Sequence, residues 1–134
     1  IFKVPGGIVN AVAWSDSGTY IAALNTNQRL LVWDVQRDRS VADMPTRVNI
    51  QLSHHKISFV PGAEHLIWTC TDFGAQLINW RQRVVVHTIP DCRAFALSLA
   101  GNYAAYWREE DNTPLVLPLE ALAEGGARQG FQIN

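Results

Sequence analysis

Residues 11–35 read AVAWSDSGTYIAALNTNQRLLVWDV, three short apolar runs separated by two turns. Ala11 to Trp14 is the first run, and Ser15-Asp16-Ser17-Gly18 breaks it. Thr19 to Leu24 is the second, Asn25-Thr26-Asn27 breaks again, and Arg29 to Trp33 is the third. Small polar residues and Gly favour tight turns because they tolerate or stabilise unusual backbone angles. Runs of four to six residues rich in β-branched and aromatic side chains predict strands. The runs are apolar at consecutive positions, the pattern of strands covered on both faces of their sheet. Ser40 to Met44 is expected to add a fourth, outer strand.

Two further units follow the same plan. In the second, Lys56 to Phe59, His65 to Cys70, Gln76 to Trp80 and Val84 to Ile89 are expected strands, with Pro61-Gly62-Ala63 as the first turn. In the third, residues 96–105 match residues 13–22 at five of ten places, with Gly and Tyr in register. Leu115 to Leu117 is its third strand. The anchors Trp14, Phe59 and Leu97 stand 45 and 38 residues apart. From these anchors to Trp33, Trp80 and Leu117 the spacing is 19, 21 and 20 residues. The expected units span 8–49, 50–90 and 91–134, and Ile1 to Val4 reads as the outer strand of a preceding unit. Leu119 to Glu124 has helix-forming residues stopped by Gly125-Gly126, and Phe131 to Ile133 reads as a last outer strand or a frayed end.

Trp33-Asp34 at the end of a third strand, with the Ser15 to Gly18 turn before the second, resembles a WD40 repeat. The resemblance covers about residues 8 to 120. It implies an all-β chain of three four-stranded antiparallel propeller blades in an incomplete ring. The family's Gly-His pair is absent from all three units, Asn27 stands for the Asp of the turn before the third strand, and Asp72 lies two residues out of register. The Trp is expected to survive at Trp33 and Trp80. Propellers close with ~4–8 blades, so three blades require either the remaining blades of a longer protein or further copies of the chain.

Composition bounds the function. The 134 residues carry 48% apolar and 17% charged side chains, which excludes a disordered chain. A net charge of −1 gives no long-range attraction to nucleic acid or to an anionic membrane. Arg81 to Arg83 is the densest basic run and reads as a solvated turn. Cys70 and Cys92 are too few for a disulfide framework, and Cys70 within an apolar run reads as a buried thiol. No apolar stretch is long enough for a spanning helix. The compartment is left open, with the cytoplasm favoured.

Chemistry-bearing residues are scattered. His54-His55 are neighbours and point to opposite faces if extended, so they do not share a metal. His65 and His87 lie in expected strands. Ser15, Ser17 and Ser98 lack the strained turn and base of a nucleophile. Glu109-Glu110-Asp111 sits in a polar loop, and neither Gly6-Gly7 nor Gly125-Gly126 has phosphate-loop spacing. No catalytic residue, metal site or cofactor is therefore expected. Propellers bind through rim loops, here 5–7, 25–28, 53–55, 72–74, 90–91 and 107–112. Within them Trp107, Arg108, Glu109, Phe73, Asp72 and His54 are the candidate partner-binding residues, Trp107-Arg108 having hot-spot composition. Trp107 ending a strand and packing on its neighbour is the competing reading. The expected function is a protein–protein interaction scaffold. The alternatives are a ligand or active site in the central channel and a structural spacer within a multidomain protein.

Overall fold

The computed structural model describes residues 8–25, 27, 29–46, 56–71, 74–90, 92–98, 103–108, 113–118 and 131–132. Its strands are β1 (Val9–Trp14), β2 (Tyr20–Asn25), β3 (Arg29–Asp34), β4 (Arg39–Pro45), β5 (Lys56–Val60), β6 (Ala63–Thr71), β7 (Gly74–Asn79), β8 (Val84–Ile89), β9 (Cys92–Leu97), β10 (Tyr103–Arg108), β11 (Leu115–Pro118) and β12 (Phe131–Gln132). Three four-stranded antiparallel sheets result, each taking its strands in chain order. Strands β1 and β5 approach each other while β4 and β8 stand further apart, so the sheets fan outward as blades. The chain is all-β, an open arc of three propeller-type blades.

Local chemistry sets each turn. The Ser15 hydroxyl accepts from the Tyr20 amide at 3.0 Å, and the Ser98 hydroxyl accepts from the Tyr103 amide at 3.1 Å. The turns after β3 and β7 also superpose. Asp34 Oδ1 accepts from the Arg37 amide, and Asn79 Oδ1 from the Gln82 amide, each at 3.1 Å. The fourth residue beyond each cap, Asp38 and Arg83, is left-handed, with φ of 52° and 57°. Buried Asn25 closes the β2–β3 turn by accepting from the amides of Asn27 and Arg29, both at 3.1 Å.

These turns correct the alignment of the repeats. Trp33 pairs with Ile21, and Ile78, not Trp80, holds the corresponding place opposite Ile67. Trp80 lies in the turn one residue past Asn79, where the first blade has Val35. The amides of Val35 and Trp80 bond the carbonyls of Thr19 and His65 in the same way. Apolar identity misleads here because either residue flanking a capping Asp or Asn can turn inward. Trp14 and Phe59 do correspond, since they pair with Ile21 and Ile67. Phe131–Gln132 forms the outer strand of the third sheet. Residues 1–7 and the expected helix at 119–124 lie outside the described residues.

Two apolar layers hold the arc together. Ala22, Leu24, Leu30, Val32, Ala42 and Met44 of the first blade meet Ile57, Phe59, Ile67, Ile78 and Trp80 of the second. On the second blade's other face Leu66, Trp68, Cys70 and Leu77 meet Cys92, Ala104, Tyr106, Leu115 and Leu117 of the third. Cys70 and Cys92 are buried free thiols. Side-chain alternation explains the division, since neighbours in a strand serve opposite layers. Ile67 and Leu77 are fully buried in different layers. Replacing either with Ala is expected to cost about 2–5 kcal/mol, because partial relaxation leaves a cavity. Urea denaturation of the two variants and their double mutant measures this, with non-additive losses expected if the layers are coupled through β6 and β7.

Candidate functional site

The seam between the first two blades carries a polar cluster on one rim. The β1–β2 turn is closed by Gly18 N–H to the Ser15 carbonyl at 3.0 Å and by Ser15 N–H to the Tyr20 carbonyl at 2.9 Å. Gly18 has a φ of 76°, which a side chain would strain, and the turn delivers Ser17 to the seam. Opposite it, Gly62, with a φ of 80°, turns the chain from β5 into β6 and delivers Glu64. The Ser17 hydroxyl donates to Glu64 Oε2 at 2.6 Å, and the Ser17 amide donates to the same oxygen at 3.4 Å. The Ser15 and Ser17 hydroxyls hold the Glu64 carboxyl below its ordinary value by bonding the charged form.

Trp80 and Arg81 complete the seam. The Trp80 indole N–H donates to the Glu64 carbonyl at 2.6 Å, and its ring is buried. Tyr20 from the first blade meets that ring edge-on, with centroids 5.0 Å apart. The Arg81 guanidinium lies 5.2 Å from the Trp80 ring centre and 5.8 Å from that of Tyr20, and donates to the Tyr20 hydroxyl at 3.4 Å. A guanidinium over an aromatic face contributes about 0.5–1 kcal/mol at an exposed place. We call this arrangement the clasp.

Between the two turns lies an open cleft of about 360 Å³, lined by Asp16, Ser17, Gly62, Ala63, Glu64, His65 and Arg81. It offers two carboxylates, one guanidinium and one imidazole to a polar partner. Ser17 donates to a carboxylate whose basicity is lowered, which is a poor arrangement for activating a nucleophile. Among the described residues no group of three His, Cys, Asp or Glu side chains is placed to hold a metal.

The residues expected from the sequence lie elsewhere. Trp107 and Arg108 belong to β10 and not to the loop after it, because β10 continues its pairing with β9 through Arg108. Trp107 is 38% exposed and shares a face with Tyr103, on the side of the third sheet away from the second. His54, Asp72, Phe73 and Glu109 lie outside the described residues. The seam residues Ser17, Glu64 and Arg81 were not singled out as binding residues. A signal was present in Trp80-Arg81, which repeats the Trp-Arg pair of 107–108.

No family model matches the chain, and no curated protein matches it by sequence. Solved structures do match. The chain is similar to the Swd1 β-propeller domain from Myceliophteria thermophila, with a TM-score of 0.70 and 12% identity over 94% of this chain and 42% of that one. It is also similar to Kuenenia stuttgartiensis hydrazine synthase, with a TM-score of 0.62 and 14% identity over 94% of this chain and 37% of that one. The chain thus spans less than half the length of either. At these identities the likeness establishes the propeller-type fold.

Because the folded-state value of Glu64 is lowered, its contribution to stability is complete above its ordinary value of 4.5. It is lost as pH falls through the lower folded-state value. Glu64→Gln is expected to cost about 0.5–1.5 kcal/mol near neutral pH. The gap between the two proteins should close under acid, which urea denaturation at a series of pH values measures.

Proposed function

We propose that this chain is a non-catalytic scaffold for protein–protein contacts, an arc of a WD40-like propeller whose ring is completed by blades outside these three. The observation that carries the reading is the difference between equivalent surfaces. Ile57 and Phe59 of the second blade are 8% and 5% exposed, covered by the first. Val12 and Trp14 hold the same register places in the first blade and are 64% and 59% exposed. Ala23 and Leu31 on the same face are buried, so the exposure lies along the β1 edge. An apolar edge of the same register left open to water is a surface awaiting a neighbour. The span of 42% of the Swd1 propeller chain is consistent with further blades.

A scaffold contacts its partners through rim loops, and loop residues can change without disturbing blade packing. Asp72 and Phe73 join β6 to β7 and are the residues chosen to test this. The double variant Asp72→Ala, Phe73→Ala is expected to weaken a partner recovered with the protein by at least tenfold. That corresponds to about 1.4 kcal/mol. The melting temperature should stay within about 2 °C. Titration calorimetry with the purified partner measures the first and scanning calorimetry the second. Unchanged affinity would remove this rim from the proposal, and turnover of a small molecule by the purified chain would remove the scaffold reading.

A further inference from the structure

We infer that the uncovered face of the third blade receives a fourth, non-identical blade carrying an aromatic side chain and a basic side chain in the turn after its third strand. The inference rests on the propeller-arc reading and names the chemistry of the neighbour. It begins from Tyr103. Tyr103 pairs with Pro118 as Tyr20 pairs with Asp34, and both amides are capped by the serine five residues before them. Tyr103 therefore stands on the backbone frame that holds Tyr20. Tyr20 meets Trp80 and Arg81 of the next blade, whereas Tyr103 is 47% exposed.

The rest of that face agrees. Ala105 corresponds to fully buried Ala22, and Trp107 to Leu24 and Cys70, each buried in one of the two existing layers. Tyr103, Ala105, Trp107 and Val116 thus continue an established interface by one more step. A second copy of this chain is a poorer occupant. Its first blade would offer Val35 where the second blade has Trp80, and Gln36 where it has Arg81. Neither supplies a ring or a cation to Tyr103. Blade 2 itself supplies both, and so serves as the probe.

The test extends the full chain after Asn134 with a second copy of residues 50–90. A parallel version carries Trp80→Ala and Arg81→Ala in the added copy only. The first version is expected to be monomeric, with Trp107 emission shifted to the blue, and to melt at least roughly 2–4 °C above the parallel version. Equal melting of two versions that both cover Trp107 would overturn the clasp inference and leave the arc standing. Trp107 remaining as accessible to acrylamide as in the unextended chain, in both versions, would overturn the arc reading and the inference with it. Light scattering and acrylamide quenching on the unextended chain give a result that needs no added blade. A closed dimer with Trp107 shielded would make a second copy the occupant and overturn the inference. A chain with Trp107 accessible, or one that associates without a fixed stoichiometry, supports it.

Discussion

The architecture depends on one constraint, that a sheet apolar on both faces must be covered twice. In the second blade Ile67 and Ile78 serve one layer while Trp68 and Leu77 serve the other, and all four are fully or almost fully buried. At about 1.5–3 kcal/mol for each large apolar side chain taken from water, this double burial dominates the stabilisation. A lone four-stranded sheet of this composition would leave one or both faces in water. Stacking is thus a condition of each blade's stability, as in other repeat architectures where a unit is held by its neighbours.

This constraint also decides how much of the fold was legible in the sequence. Blade number and strand order could be read because strands apolar at consecutive places, cut by Ser, Gly and Asn turns, have few other solutions. The Ser15–Tyr20 and Ser98–Tyr103 match was in true register, because a hydroxyl capping an amide five residues on fixes the length of the turn. Trp33 and Trp80 were not in register. The β-bulge at Phe59/Val60 adds one residue between Phe59 and Ile67, but one fewer separates Ile67 from Ile78. The true strand place therefore lies 19 residues from the anchor in both blades, and Trp80 overshoots it by two. The reliable marker was the polar cap, Asp34 or Asn79. Its side chain must face its own turn, whereas a large apolar side chain is satisfied wherever a layer has room.

The seam was harder to read for a related reason. Ser17 and Glu64 lie 47 residues apart, and only the stacking of two blades brings them together. Arg81 read as a solvated turn residue, and it is exposed, yet its guanidinium spans rings from two blades. Trp107-Arg108 drew attention through the same dipeptide, but there the tryptophan is a strand residue at a layer position. Composition identified the type of contact, while register decided which surface it served.

Apolar layers are permissive, since many large side chains fill similar space, so burial alone does not specify which blade lies beside which. The polar rim supplies part of that information. At the first seam Tyr20 answers Trp80 and Arg81, and Ser17 answers Glu64. At the second, Leu66 occupies the place of Tyr20 and offers neither ring nor hydroxyl, while Cys70 Sγ lies 3.7 Å from the Cys92 carbonyl. Each seam therefore has its own complement, and a blade placed in the wrong order would leave these groups without their partners. Ser17, Tyr20, Glu64 and Arg81 are exposed or half-buried, so each such contact contributes about 0.5–1 kcal/mol, less than one large apolar side chain taken from water. The rim contacts thus add a small preference for one neighbour over another, superposed on layers that supply most of the stability.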